Sequence, residues 1–265
     1  MADEQERARK LTDRYDAHAA AYAQLWAPTL RLASTRLLRE LAGRPVHRAL
    51  DVGTGVGTLH GDLRALFPSA LLLGVDRSQG MLALAPRDMP RVVADARALP
   101  LAAQSVDLVL LVFMLFHLTE PIEGVTEAQR VVRKGGLAGT VTWGTDLESP
   151  ATRIWTQCLD EHGAAPPDPG VQARDELLNT PEKMETLLRA AGFATVRAWT
   201  DDLVTTIGLE HLIELKTRMG SEKARFDSLD EGGREECVAN ARRRMERLAP
   251  DEFTASGKIV YAIAS

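Results

Sequence analysis

The sequence predicts a doubly wound α/β protein: a mostly parallel, seven-stranded sheet covered by helices, with further helices at the N-terminus and in the C-terminal half. Three observations carry this reading. Short apolar segments alternate with helical ones in strict order between Arg48 and Trp143. The central run, Leu108 to Phe116, is apolar on both faces, as a strand buried from two sides must be. A glycine-rich turn joins the first strand to the helix after it.

The elements follow in order. Residues 3–42 read as helical, with Pro28 dividing them into two pieces, and Gly43-Arg44-Pro45 closes this part. Arg48–Val52 reads as a strand, Thr58–Phe67 as a helix stopped by Pro68, Ala70–Val75 as a strand and Gly80–Ala85 as a short helix. Arg91–Ala94 and Val106–Phe113 are strands, Pro121–Val132 is a helix stopped by Gly135-Gly136, and Leu137–Trp143 is a strand. In the second half, Thr180-Pro181 starts a helix that Gly192 ends. Ala194–Thr206 and Lys258–Ala264 are the last two strands, and residues 208–219 and 231–249 are helical between them. Pro166-Pro167-Asp168-Pro169-Gly170 reads as a loop. The expected organisation is an N-terminal helical lid over residues 1–42, a ligand-binding core over 43–145, and a remainder over 146–265 in the same domain. That remainder supplies two strands and further lid helices.

Composition narrows the function. The 265 residues are 45% hydrophobic and 26% charged, as in an ordinary globular protein. With 32 Lys and Arg against 37 Asp and Glu the net charge is −5, which argues against a nucleic-acid partner. The basic cluster Arg242, Arg243, Arg244 and Arg247 lies among Glu235, Glu236 and Glu246, the pattern of a solvated helix face. Only Cys158 and Cys237 are present, without CxxC spacing, so neither a disulfide framework nor a zinc site is expected. The first seven residues are too polar for a signal peptide, and no apolar run is long enough to span a bilayer. A cytoplasmic protein is expected, its oligomeric state open.

The decisive segment is Ala49-Leu50-Asp51-Val52-Gly53-Thr54-Gly55-Val56-Gly57-Thr58. Glycine is needed where the chain turns tightly and a ligand approaches the backbone. The dinucleotide fingerprint would place its third glycine at position 58, which is Thr58, so that match fails. The spacing is GxGxG instead, and Asp51 two residues before it would attract an amine or sulfonium and repel a pyrophosphate. Asp76 ends the second strand, where a carboxylate can accept from ribose hydroxyls, and Asp95 follows the third. Asp107, which opens the fourth strand, is counted with them as a third acidic residue on the carboxyl edge of the sheet.

Leu50 to Gly57 resembles motif I of the class I S-adenosylmethionine-dependent methyltransferases. Val75-Asp76-Arg77-Ser78-Gln79-Gly80-Met81-Leu82-Ala83-Leu84-Ala85 is similar to the family's D-x-S-x-x-M-L-x-x-A stretch. Asp107 through Leu118, then Arg130 to Leu137, resembles motif IV and the R-x-L-x-P-G-G stretch of the ubiquinone-biosynthesis-like subgroup. The opening Tyr15-Asp16-Ala17-His18-Ala19-Ala20-Ala21-Tyr22 is similar to its aromatic entry helix. The match covers residues 12–145. Lys134 replaces the usual proline, and Phe116 stands where many members have the first of two histidines.

The resemblance implies S-adenosylmethionine as cofactor and methyl transfer to a small-molecule acceptor, a metabolite. Gly53, Thr54 and Gly55 would wrap its methionine portion, with Asp51 helping to hold the amine. Asp76 would hold the ribose, Arg77 and Met81 would flank the adenine, Asp95 and Ala96 would read its edge, and Leu111 would lend a backbone carbonyl. Tyr15, Tyr22 and Trp26 recur near helical spacing, which suits both core packing and a lining over the methyl group. Trp143 ends the fifth strand and would wall the acceptor site, whereas Trp155 and Trp199 read as core. If the acceptor must lose a proton, His117 is the candidate base, and His18, His162 and His211 are weaker ones. No metal is expected. Two other readings remain open: a cofactor-binding member of the fold with non-methylating chemistry, and an NAD(P)-dependent oxidoreductase.

Overall fold

The computed structural model describes residues 2–265 and, within them, every side chain except those of residues 2–5, Gln172 and Asp175. The polarity read from the first seven residues therefore falls largely outside the described side chains.

The seven strands form close to where the apolar runs predict them: β1 Arg48–Val52, β2 Leu71–Asp76, β3 Arg91–Val93, β4 Val106–Val112, β5 Val132–Trp143, β6 Val196–Thr206 and β7 Thr254–Ala264. Their order is β3-β2-β1-β4-β5-β7-β6. Pairing from β3 through β5 is parallel, and β7 runs antiparallel to β5. The strand order reverses between β1 and β4, so the crevice outside their carboxyl ends is the switch point at which such sheets bind ligands. β4, the most apolar strand, is buried throughout except at Val112.

Contact clustering divides the chain into two compact units. The first comprises residues 1–144, 177–201 and 259–265. It holds the doubly wound core, in which α5 Pro121–Val131 packs with α8 Pro181–Ala190 and α2 Ala27–Leu41 with α3 His60–Leu66. Leu50, Val109, Leu111, Val125, Ala128 and Leu188 are completely buried in its core cluster. The second unit comprises residues 145–176 and 202–258. Its helices α6 Pro150–Glu161, α7 Pro169–Asp175, α9 Leu209–Arg218, α10 Gly220–Asp227 and α11 Glu231–Met245 include a pairing of α6 with α11. Trp155 is fully buried there beside Phe226, at a centroid distance of 5.7 Å. The expected third segment, 146–265, is thus shared between the units. Helix α8, the first part of β6 and the last part of β7 belong with the core, and α6, α7, α9, α10 and α11 do not.

Other expectations are corrected. Pro28 lies in the first turn of α2, and α1 Ala2–Ala21 meets α2 through a π-helical stretch, Tyr22–Trp26, with no break in the helix. A proline ring clashes with the carbonyl four residues before it. The wider turn accommodates that clash, and the Ala27 N–H accordingly donates to the Tyr22 carbonyl five residues back. Gly135-Gly136 does not stop α5; β5 starts at Val132, and the glycines shape a bulge between the pairs Val106–Val132 and Leu108–Leu137. Part of the expected loop 166–170 starts α7. Helices α6 and α10 were not expected at all. Trp199 is only half-buried, stacked on Tyr261 and beneath the Arg197 guanidinium.

Cys158 and Cys237 are free and buried. Arg242 pairs with Glu210 and Arg244 with Glu161, as a solvated helix face requires. Among the described residues no helix is long and apolar enough to cross a membrane, and no group of His, Cys, Asp and Glu is placed to hold a metal ion.

Candidate functional site

The turn after β1 is built on three glycines with left-handed backbone, Gly53 at φ 72°, Gly55 at 57° and Gly57 at 73°. A side chain there would be strained. It would also collide: a Cβ on Gly53 would lie 2.6 Å from Met114 Cβ, and one on Gly57 would lie 2.8 Å from Pro86 Cδ. The amides of Gly53 and Thr54 both donate to the Val75 carbonyl of β2, at 2.7 and 3.0 Å. Beyond them the Gly55 N–H donates to Asp76 Oδ2 at 2.8 Å, and the Ser78 N–H to Asp76 Oδ1 at 2.9 Å. One carboxylate therefore ties the glycine turn to the start of α4 Gln79–Ala83.

A cleft with a cavity volume of about 90 Å³ opens over this turn. Gly53, Gly55 and Asp76 form its floor, and Val75, Met81, Ala94, Ala96, Val112 and Leu118 contribute its apolar walls. Arg77 and Asp95 stand at one end, and Tyr15, Tyr22, Phe113 and His117 also line it. Lining residues that the sequence reading does not single out include Leu11 and Thr12 from α1, and Phe113 and Met114 beyond β4. Phe113 has φ 51°, uncommon for a bulky residue and found where a site constrains the backbone. No periodicity in the sequence marks it.

Burial raises the carboxyl of Asp51 to about 7; the Thr54 hydroxyl, donating at 2.7 Å, opposes this and the Asp76 charge adds to it. Burial likewise raises Asp76, against the hydrogen bonds from Ser78 and Gly55. Asp95 goes the other way. Burial pushes it up, but hydrogen bonds from Arg97 and the charges of Arg77 and Arg97 outweigh that and hold it at about 2. Four donors reach its two oxygens: Arg77 Nη2 at 2.7 Å, Arg97 Nη2 at 2.9 Å, the Arg97 amide at 2.9 Å and Arg97 Nε at 3.1 Å. The Tyr15 hydroxyl shares a hydrogen bond of 2.9 Å with His117 Nε2, and burial raises that phenol to about 12.

Not every expected residue reaches the cleft. Asp51 and Thr54 are buried behind the turn, because the Thr54 methyl packs over Gly74 and its hydroxyl turns onto Asp51. Leu111 lies inside the ladder, paired with Val52 and Thr140, and Val112 and Phe113 form the wall instead. Trp26 and Trp143 do not line the cleft; their centroids lie 5.6 Å apart, and Trp143 sits 4.7 Å from the Phe113 ring behind it. Asp107 is corrected outright. It starts β4, so it lies on the amino edge of a parallel sheet, where its carboxylate accepts from the His47 and Arg48 amides and pairs with Arg133. His18 caps back onto the Arg14 carbonyl, and His162 onto that of Cys158.

A switch-point cleft with a glycine floor and a carboxylate at the end of the second strand defines an α/β nucleoside-binding protein. A match to a methyltransferase domain covers residues 50–139. The malonyl-[acyl-carrier protein] O-methyltransferase of Methylococcus capsulatus is 33% identical over 58% of this chain and 54% of its own length. The demethylmenaquinone methyltransferase of Clavibacter sepedonicus is 32% identical over 65% of this chain and 73% of its own. The chain thus spans about half the length of the first relative and nearly three quarters of the second. In fold it is similar to phosphoethanolamine N-methyltransferase 2 of Haemonchus contortus, solved with phosphomonomethylethanolamine and S-adenosylhomocysteine. That likeness has a TM-score of 0.54 at 17% identity and covers 94% of this chain and 57% of the other. The chain belongs to the class I S-adenosylmethionine-dependent methyltransferases, of the ubiquinone-biosynthesis-like type.

Proposed function

We propose that the chain transfers the methyl group of S-adenosylmethionine to a small-molecule acceptor. The observation that carries this reading is the left-handed glycine turn bonded to Asp76 on the floor of a cleft with apolar walls. A Cβ would fill the floor at Gly53, and the carboxylates beside it suit a cationic nucleoside and repel a pyrophosphate. Gly53 and Gly55 would hold the methionine portion, with Asp51 and Thr54 acting from beneath the turn. Asp76 would accept from the ribose. Arg77 and Met81 would flank the adenine, and Asp95 and Ala96 would meet its edge. The Arg77 and Arg97 donors already on Asp95 make it a fixed wall at that end.

The bound cofactor supplies a methyl group on a sulfonium, already activated for in-line displacement. What the protein adds is alignment, which can contribute roughly 7–11 kcal/mol. Tyr15, Tyr22 and Phe113 exclude water from one side of the cleft. His117 would take a proton from the acceptor through Nε2 once the Tyr15 hydroxyl moves off it, a reading supported by its position in the cleft lining. A small acceptor, in place of a nucleic acid, is supported by the net charge of −5 and the pairing of Arg242 and Arg244 with glutamates.

Calorimetry with S-adenosylmethionine, S-adenosylhomocysteine and NAD tests the cofactor, and methyl-labelled donor with a panel of small acceptors tests the transfer. Binding of both sulfur nucleosides and label in a released product are expected. Uptake of NAD in their place would refute the reading, and bound cofactor without any labelled product would leave only its binding half.

A further inference from the structure

Two consecutive residues of α1 reach opposite rims of the cleft. Tyr15 meets His117, which lies on the short 3-10 turn Leu115–His117 after β4, and their rings pack edge to face at a centroid distance of 5.4 Å. Asp16 reaches the other rim, after β2. Its Oδ1 accepts from Ser78 Oγ at 2.5 Å and from the Gly80 N–H at 2.8 Å. Ser78 also caps α4, its hydroxyl accepting from the Met81 amide at 3.0 Å. The carboxylate is therefore bonded to the rim segment that carries Asp76, Arg77 and Met81.

Gly80 is the seat for this helix. It has no unusual φ, yet a Cβ there would lie 2.8 Å from Asp16 Cα and 3.0 Å from the Asp16 carbonyl oxygen. Those are backbone atoms, so any side chain at position 80 would lift α1. Between the two anchors, Leu11, Thr12, Tyr15 and Tyr22 line the cleft from above. Behind them the π-helical stretch Tyr22–Trp26 joins α1 to α2, whose Leu37 and Leu41 are completely buried. π-helical turns inside helices occur frequently at functional sites. A strap held by side chains at two rims, and joined through one such turn to a firmly packed helix, is able to lift at those two contacts.

We propose that α1 gates the exchange of the nucleoside cofactor, and that Asp16, seated on Gly80, is the positioning residue that holds the gate shut. This rests on the cofactor site proposed above. Asp16 touches no reacting atom; it acts by fixing Tyr15 and Tyr22 over the cleft and by tying the strap to the Asp76 rim. A gate differs from a simple contact in its kinetics. Loosening a gate speeds both entry and exit, whereas losing a contact speeds exit alone.

The test measures association and dissociation of S-adenosylhomocysteine on the immobilised full chain, for wild type, Asp16→Ala, Asp16→Asn, Gly80→Ala and the Asp16→Ala/Gly80→Ala pair, with circular dichroism to confirm folding. Both rate constants should rise roughly tenfold in Asp16→Ala and in Gly80→Ala, the size expected for losing charge-assisted hydrogen bonds. Asp16→Asn, which keeps an acceptor oxygen, should fall between, and the pair should add little to either single change, because both act on one contact. A wild-type chain that binds while Asp16→Ala and Gly80→Ala exchange at its rates overturns the gate alone. So does a rise in dissociation without a rise in association. A wild-type chain that takes up no S-adenosylhomocysteine overturns the cofactor reading and the gate with it.

Discussion

At the residue scale the carboxylates divide by surroundings. Asp51, Asp76 and Asp95 all follow or end strands near one crevice, but burial lifts the first two while two arginines depress the third. Asp51 has a folded value of about 7, above the ~3.9 of an unfolded aspartate. Between these values the folded chain holds the extra proton. Its contribution to stability is therefore full below about pH 4 and is lost as the pH rises through 7, by on the order of 1 kcal/mol per pH unit. Asp51→Asn should remove that slope, so melting of the cofactor-free protein at pH 5 and pH 8 should differ less in the mutant; equal differences would dismiss the assignment. Asp76→Ala should weaken S-adenosylhomocysteine binding by about 2–3 kcal/mol, because it loses ligand contacts and also frees the Gly55 amide. Unchanged affinity in calorimetry would count against Asp76 as the ribose holder. His117→Ala should lower turnover by roughly 10²-fold or more while changing cofactor affinity much less, if the acceptor must be deprotonated. Wild-type turnover would remove it from the mechanism. Asp76 and Asp95 could be read from the sequence because strand ends are local. Asp107 lies at the start of β4 where Asp76 ends β2, so in a parallel sheet the two carboxylates stand at opposite edges. Thr54 and Leu111 are expected at the cleft yet lie behind it, because a rotation of one side chain, or one residue of register, separates the cleft from the core.

Elements supply the backbone these residues need. Between β1 and α3 the chain turns on three positive-φ glycines, and Gly57 also packs against Pro86 and Met89. Gly57→Ala should cost about 1–3 kcal/mol through strain at its left-handed backbone and the collision with Pro86. A thermal melt lowered by several degrees is the expected result; an unchanged one would mean that the turn relaxes freely. The same spacing that marks this turn in the sequence is what the fold uses, since the strained conformation is local. Gly135-Gly136 shows the opposite case. As a helix stop it reads plausibly, yet α5 already ends at Val131, and the pair serves a bulge that only the pairing of β4 with β5 creates. Pro28 is intermediate: its disturbance was evident, but whether the helix breaks or widens depended on how α1 and α2 pack.

For the whole molecule, the first unit takes residues 177–201 and 259–265 from either side of the second unit's longer segment, which is why one contiguous boundary near residue 145 does not describe the division. The cleft lies wholly within the first unit. S-adenosylhomocysteine at a hundredfold over its Kd should stabilise the protein by about 2.7 kcal/mol. Slowed hydrogen exchange should concentrate in α1, the glycine turn and residues 76–81 and 95–97. Protection confined to residues 145–176 and 202–258 would place the ligand elsewhere.

The sequence by itself determined the alternation of strands and helices, the left-handed glycine turn, and the acidic residues ending β2 and following β3, because each depends on neighbours within a few positions. Tertiary structure alone decided what covers that turn. Asp16 and Gly80 meet across 64 positions, and Tyr15 and His117 across 102. Contacts of that range follow from how folded elements pack against one another, which no local pattern records.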